Sequence, residues 1–227
     1  MPDVYDPIAA QMSAAAAINQ LNAFNTDLIG RTHLLLELYQ NNVSPSAGNT
    51  LAAFTEATYS GYAAISAVTP LTGVSTGLNA SNQAYQDAGL FAFACNGAGV
   101  SNTIYGATLV GTPTTSTQAT ATATESGGLY NSVTITNAGA GYTRAPKVTA
   151  TGATGSGALL HSTLSATGTV ATIVIDSPGS GYTTATLSIE EPLELIKQIV
   201  FPNPISMALA TDLINTYLEI VEPAVAA

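Results

Sequence analysis

Two copies of one sequence unit, residues 128–143 and 168–183, constrain the fold of this chain more than any other feature. Each copy begins at a glycine, continues through alternating apolar and polar residues, and ends in Gly-x-Gly-Tyr-Thr. The second copy follows the first at an offset of 40 positions, which is typical of a repeated supersecondary unit. The sequence therefore predicts that one strand and one turn occur twice.

The pattern inside each copy predicts a strand with one buried face. Val133 and Ile135 alternate with polar residues in the first copy, and Ile173 and Ile175 repeat that face in the second. Glycines tolerate positive φ, so the motif predicts a sharp turn that the tyrosine ring covers, with its hydroxyl free to reach water. A nucleotide-binding loop is disfavoured because the third glycine and a suitably placed basic residue are missing. The predicted turn residues are Gly139, Gly141, Tyr142, Gly179, Gly181 and Tyr182.

Charge limits the partners that the chain can bind. Only 8% of its residues are charged, and the formal net charge is −10. We therefore expect a neutral, hydroxyl-rich surface, and neither nucleic acid nor an anionic membrane as a partner. The basic residues are Arg31, Arg144, Lys147 and Lys197.

Cysteine usage and the N-terminal sequence bear on where the chain folds. Cys95 is the single cysteine, so no intrachain disulfide is possible, and its small-residue neighbours favour a buried thiol. The first residues are acidic where a signal peptide is basic, and no apolar run approaches the roughly 20 residues that span a bilayer. We expect folding in a reducing cytoplasm.

Residues 1–33 predict a short helical N-terminal arm. Asp6 and Pro7 form a suitable helix start, and an apolar stripe follows inside an alanine-rich run. A short helix with a narrow stripe needs a partner surface, so we expect the arm to serve in assembly. The predicted assembly residues are Ile8, Met12, Leu21 and Phe24.

The rest of the chain predicts short strands separated by turns, with one or two helical turns in 51–57. We expect strands at 34–39, 59–65, 90–95, 103–110, 193–201 (ending at Pro202) and 213–221. This pattern predicts a mainly β protein whose host domain is an antiparallel β-sandwich. Residues 34–111 and 190–227 would form the host, with a two-copy repeat subdomain, 112–189, inserted between them.

Candidate catalytic and metal-binding residues are few. His33 and His161 have neither an acidic nor a hydroxyl neighbour in a catalytic pattern, and Cys95 would need a positioned histidine. Glu190, Glu191 and Glu194, or Asp176, could bind calcium, but solvated acidic turns are the simpler interpretation. We therefore predict no enzyme activity, no cofactor and no metal. Tyr142 and Tyr182 could stack on sugars, although covering their own turns is enough to explain them.

Several segments resemble structural proteins encoded among the virion genes of tailed bacteriophages. The segments are 38–45, 51–62, Ile104-Tyr105-Gly106 and 201–207, and the Gly-Tyr-Thr repeats are similar to those of phage tail and fibre proteins and of bacterial surface proteins. The late strand departs from the pattern, with Leu195-Ile196-Lys197 where an aromatic residue is expected. The resemblance implies a role in virion structure.

Together these observations predict a capsid decoration (cement) protein on the virion surface, assembled in the host cytoplasm. It would bind the major capsid protein or another virion protein and form a homo-oligomer such as a trimer. The alternative is a receptor-binding tail or fibre adhesin whose repeat binds host glycans. A secreted polysaccharide-active enzyme is a weaker third interpretation.

Overall fold

The computed structural model describes residues 31, 33–44, 46, 48–66, 77–78 and 84–221. This part of the chain is mainly β, with one 3₁₀ turn, η1 (Leu51–Ala53), and no α-helix. No helix among these residues has the length and apolar character needed to cross a bilayer. The strands are β1 (Leu34–Tyr39), β2 (Ile65–Ser66), β3 (Gly77–Leu78), β4 (Ala84–Ala94), β5 (Asn102–Gly111), β6 (Thr120–Ser126), β7 (Leu129–Asn137), β8 (Val148–Ala150), β9 (Ser156–Leu164), β10 (Val170–Ser180), β11 (Leu187–Ile189), β12 (Glu194–Met207) and β13 (Leu213–Val221).

The strands form several small sheets. One has four strands in the order β12-β5-β1-β2, and another has three in the order β13-β4-β3. Three further sheets have two strands each: β6-β7, β9-β10 and β8-β11. The pairs β1-β2, β3-β4, β4-β13, β6-β7, β8-β11 and β9-β10 are antiparallel. Short antiparallel strands joined by turns are therefore the basis of the fold, as the sequence predicted.

The chain divides into two compact units. The first unit comprises Met1–Leu38, Ala57–Ile104 and Asn203–Ala227, and the second comprises Tyr39–Glu56 and Tyr105–Pro202. Both copies of the sequence repeat lie in the second unit. The predicted assembly arm, with Ile8, Met12, Leu21 and Phe24, lies outside the described residues.

The first unit has its core along β1 and on one face of the β4-β13 pair. Phe91, Phe93 and Ile214 are buried, whereas the intervening Ala92, Ala94 and Asn215 are exposed. This two-residue period is the pattern of a sheet with one buried face. Tyr62 stacks on Phe93 with ring centroids 6.2 Å apart. The other buried apolar residues here are Leu34, Leu36, Leu38, Ala57, Tyr59, Cys95, Ile104 and Met207.

The second unit contains a core that the two repeat copies share. Ala119, Tyr142, Val170 and Ile189 are buried together, and partly buried apolar side chains, one of them from each copy, pack against them. Those side chains are Ala121, Ile135, Val148, Leu164 and Ile173. Ile135 and Ile173 therefore face inward, as the alternating pattern predicted.

Two strand boundaries differ from the prediction. Residues 59–64 are not a strand, because the Tyr62 N–H donates to the Tyr59 carbonyl across a turn that uses Gly61 at φ 94°. Only Ile65 and Ser66 are extended in a sheet. β12 does not stop at Pro202 but continues to Met207. It lies at the edge of its sheet, where a residue without an N–H removes no ladder hydrogen bond.

Candidate functional site

The two glycine-tyrosine turns have nearly the same backbone. The first glycine of each motif lies in the left-handed region, Gly139 at φ 68° and Gly179 at φ 64°. A Cβ on Gly139 would lie 2.6 Å from the Thr117 carbonyl oxygen, and one on Gly179 would lie 2.6 Å from that of Ser156. Both the φ and the close backbone therefore require glycine. Gly141 and Gly181 follow at φ 87° and 75°.

Each tyrosine ring covers its own turn. Tyr142 and Tyr182 are 4% and 6% exposed, and each ring lies against the first glycine of its motif. The hydroxyls do not extend into water, as the sequence had suggested, but bond to the backbone. The Ala119 N–H donates to the Tyr142 hydroxyl at 2.8 Å, and the Ala158 N–H donates to the Tyr182 hydroxyl at 3.2 Å.

Backbone hydrogen bonds join the two copies reciprocally. The Tyr142 N–H donates to the Gly168 carbonyl at the start of the second copy, and the Tyr182 N–H donates to the Gly128 carbonyl at the start of the first. Both distances are 3.0 Å. The strands that follow the two turns, β8 and β11, pair with each other. Each copy thus supplies the hydrogen-bond partners of the other.

A compact charge cluster occurs beside the first turn. The Arg144 guanidinium lies 3.1 Å from the Glu190 carboxylate and 3.6 Å from that of Glu56. The Lys147 ammonium lies 2.7 Å from Glu56, and the Lys147 N–H donates to Glu190. The Glu56 side chain is only 9% exposed, so these cations compensate a carboxylate that water reaches poorly.

The other carboxylates proposed as calcium ligands also have partners. Asp176 contacts His161, with 2.7 Å between Oδ2 and Nδ1, and both side chains are about half exposed. Glu191 and Glu194 each have an interaction partner as well. Sequence reasoning missed the histidine–aspartate pair, because the contact depends on the register of β9 against β10, which the sequence does not show.

The outer face of the β6-β7 hairpin is a layer of hydroxyl groups. The Thr120 and Thr136 hydroxyl oxygens lie 2.8 Å apart, and those of Thr124 and Ser132 lie 2.7 Å apart. Thr122 stands opposite Thr134 between these two pairs. All six residues are exposed. The face is therefore neutral, and part of its hydrogen-bonding capacity is satisfied within the face.

Burial changes the acidity of three tyrosines. It raises the pKa of Tyr59 to about 12, with a smaller contribution from the neighbouring Cys95 thiol. It also raises the pKa of Tyr39. For Tyr142, burial raises the pKa, the hydrogen bond from Ala119 opposes that rise, and the negative charges of Glu190 and Glu191 add to it. Cys95 itself is buried, as predicted.

Comparison with protein-family models, with curated proteins and with solved structures gives no match. The most developed feature of the site is a pair of turns held by backbone hydrogen bonds and buried aromatic rings, beside neutral strand faces. Such a framework can present a fixed surface to a partner.

Proposed function

We propose that this chain is a non-enzymatic structural protein of a bacteriophage virion, a capsid decoration (cement) protein bound to the head surface. The observation that carries the proposal is the neutral, hydroxyl-covered outer face of β6 and β7. Burying charged groups against a neighbour is costly, whereas hydroxyls that already bond to one another lose little on leaving water. A contact that is repeated across a capsid lattice therefore costs less desolvation energy through such a neutral face than through a charged one.

The rigid turns support the same role. The contacts of Gly139 and Gly179 with neighbouring backbone, and the reciprocal bonds from Tyr142 and Tyr182, hold both hairpins in fixed positions. A surface fixed before binding loses less conformational entropy when it meets its partner. A binding surface that is fixed in advance is therefore an advantage for a protein whose role is to bind neighbouring subunits.

The proposal includes a finer architecture. Residues 34–111 and 190–227 would form an antiparallel β-sandwich, 112–189 would be an inserted two-copy repeat subdomain, and 1–33 would be a short helical arm that binds the capsid or a sister subunit. The reciprocal hydrogen bonds between the copies support treating the repeat as one structural piece. The homo-oligomer would be a trimer or another symmetric assembly.

The rival hypothesis is a receptor-binding tail or fibre adhesin, and the structure limits where such a protein could bind a glycan. Tyr142 and Tyr182 have buried rings, so they offer no face on which a sugar could stack. A glycan would have to bind an exposed strand face, such as the one that carries His161 and Asp176.

The test is to locate the chain on virus particles. Particles purified from a lysate of the host that carries the gene would be labelled with an antibody against the chain and imaged by electron microscopy. The proposal expects many labels over the head surface, and fewer on particles assembled with a chain that lacks residues 1–33. Labels confined to the tail tip would favour the adhesin, and unlabelled particles would overturn a virion role.

A further inference from the structure

Two neighbouring segments of the first unit, the loop after β4 and the turn that leads into β13, expose large apolar side chains. Val100, Leu209 and Leu213 are 56%, 64% and 52% exposed, whereas Leu34, Leu36 and Leu38 of the same unit are fully buried. The Cys95 N–H donates to the Asp212 carbonyl at 3.0 Å, so the loop after β4 lies against the turn before β13. We call this surface the apolar loop end, defined by Val100, Leu209 and Leu213.

A shallow apolar groove borders the apolar loop end. In the β4-β13 pair Leu213 stands opposite Ala94, which places both side chains on the same face of the sheet. Ala94 in turn lines a groove of about 200 Å³, and the other lining residues are Tyr59, Gly61, Ala63, Ile65, Ala92 and Phe93. An exposed leucine and a groove lined by small, aliphatic and aromatic residues are therefore neighbours.

This region is almost free of charge. Within residues 57–66, 92–102 and 203–216 the only residue with a formal charge is Asp212. Its carboxylate accepts hydrogen bonds from the backbone N–H groups of Ala208 and Leu209, each at 2.7 Å, and these bonds lower its pKa. These ranges thus hold one of the 14 acidic residues of the chain.

We propose that the apolar loop end and its groove form the surface through which two copies of this chain associate. Leu209 and Leu213 of one copy would lie against the groove of the other. This inference deepens the proposed structural role, on which it rests for its biological meaning, by naming the surface that joins the subunits.

Charge and shape favour a second copy as the occupant. Two copies that each have a net charge of −10 repel each other, and the electrostatic repulsion is smallest when uncharged surfaces face each other. A symmetric contact uses one self-complementary surface on both subunits, and this surface carries both projecting leucines and a groove. A basic partner would instead be attracted to the acidic surfaces, and an anionic membrane would be repelled.

The first experiment is sedimentation velocity on the full chain over a range of protein concentrations. The wild type is expected to associate reversibly, and the double variant Leu209→Ser, Leu213→Ser is expected to weaken association by roughly a hundredfold or more. The matched control is Leu159→Ser with Val174→Ser, which removes exposed apolar side chains from β9 and β10 in the second unit. It should associate like the wild type.

A cross-linking experiment tests the location of the contact. Because Cys95 is buried and is the only cysteine, a Leu213→Cys variant has one accessible thiol. Mild oxidation with diamide should join Leu213→Cys chains into covalent dimers much faster than Leu159→Cys chains at equal concentration. A wild type that is monomeric throughout, or equal cross-linking at both positions, would overturn the inference.

These results are separable from the test of the proposed function. Association through the apolar loop end without labelling of virus particles would keep the inference and overturn the virion role. If virus particles are labelled but the wild-type chain and the Leu209→Ser, Leu213→Ser variant are both monomeric in solution, the virion role is kept and the inference is overturned.

Discussion

The two repeat copies share their turns but differ in what surrounds them. Both have a left-handed first glycine, a buried tyrosine ring and a tyrosine hydroxyl that accepts from a backbone N–H. After the first turn come Arg144 and Lys147, which meet Glu56 and Glu190. The second turn is followed by Thr184, which has no charge.

The strands that lead into the turns differ in a similar way. Tyr130 occupies the position in the first copy that Val170 occupies in the second. Both are buried, but the Tyr130 hydroxyl donates to the Thr186 carbonyl and its ring meets that of Tyr182 edge-on. Val170 packs in the shared apolar core instead. The backbone contacts are therefore repeated, whereas the side-chain contacts have diverged.

The difference shows which contacts define the repeat. If the turn glycines are essential to the repeat fold, their substitution should lower the free energy of unfolding more than any other change in either copy. Changes to the diverged side chains should lower it less, and by different amounts in the two copies. The following predictions test that order, beginning with the largest expected loss.

Gly139→Ala and Gly179→Ala should each lower the free energy of unfolding by about 3 kcal/mol or more, measured by urea denaturation. The left-handed φ costs about 1–2 kcal/mol, and the new Cβ would also press on backbone atoms of Thr117 or Ser156. The matched control is Gly127→Ala, at φ 63° with no atom within 4 Å of the added Cβ. It should lose about 1 kcal/mol. Equal losses at all three positions would show that close packing at the turns is unimportant.

Tyr142→Phe should cost more stability than Tyr182→Phe, about 2 against about 1 kcal/mol in the free energy of unfolding. The Tyr142 hydroxyl accepts from the Ala119 N–H and donates to the Glu190 carbonyl at 3.0 Å, so its loss leaves two backbone groups without partners. The Tyr182 hydroxyl accepts from Ala158 at the longer distance of 3.2 Å. Identical losses would mean that the two hydroxyls are equivalent despite their different partners.

Arg144→Met should lower the free energy of unfolding by about 1–2 kcal/mol, because it keeps the aliphatic stem but leaves Glu190 without its guanidinium partner. The contrasting variant is Asp176→Asn, which removes the carboxylate from a contact with His161 that is about half exposed on β9 and β10. Its effect should stay below about 0.5 kcal/mol and vanish at high salt. A larger loss from Asp176→Asn would reverse the ranking of the two charged groups.

The raised pKa of Tyr142 makes the stability of the protein depend on pH under alkaline conditions. A folded-state pKa raised above the unfolded value near 10 means that the unfolded chain releases its proton first. Stability from Tyr142 is therefore fully present below pH 10 and is lost as the pH rises through the folded pKa. The free energy of unfolding of Tyr142→Phe should fall less steeply above pH 10 than that of the wild type. Tyr39 and Tyr59 leave a residual fall in both proteins. Equal slopes would contradict a desolvated Tyr142 hydroxyl.

Local pattern predicted several elements well. The alternation of apolar and polar residues placed β7 and β10, because it records which face of a strand is buried, and apolar runs placed β1, β5 and β13. The same reasoning failed at 59–65, where a turn around Gly61 interrupts the alternation, and at Pro202, which an edge strand tolerates. Propensity alone does not distinguish an edge strand from a central one, since that depends on the whole sheet.

The candidate site was predictable only in part. The Gly-x-Gly-Tyr spacing identified both turns. It did not identify Glu56 as a partner of Arg144 and Lys147, because Glu56 precedes them by about ninety positions and only folding brings them together. The apolar loop end also depends on tertiary structure, since Val100 and Leu213 belong to separate segments whose exposure no local pattern records.

By itself, the sequence determined that this chain contains two equivalent strand-and-turn units, an alternating β pattern and very little charge. The tertiary structure decided that β8 pairs with β11, that each tyrosine N–H bonds to the opposite copy, and that the tyrosine hydroxyls are buried. The physical reason is that a two-residue period specifies the face a strand buries. The partner at a strand edge is chosen by contacts between residues that are distant along the chain.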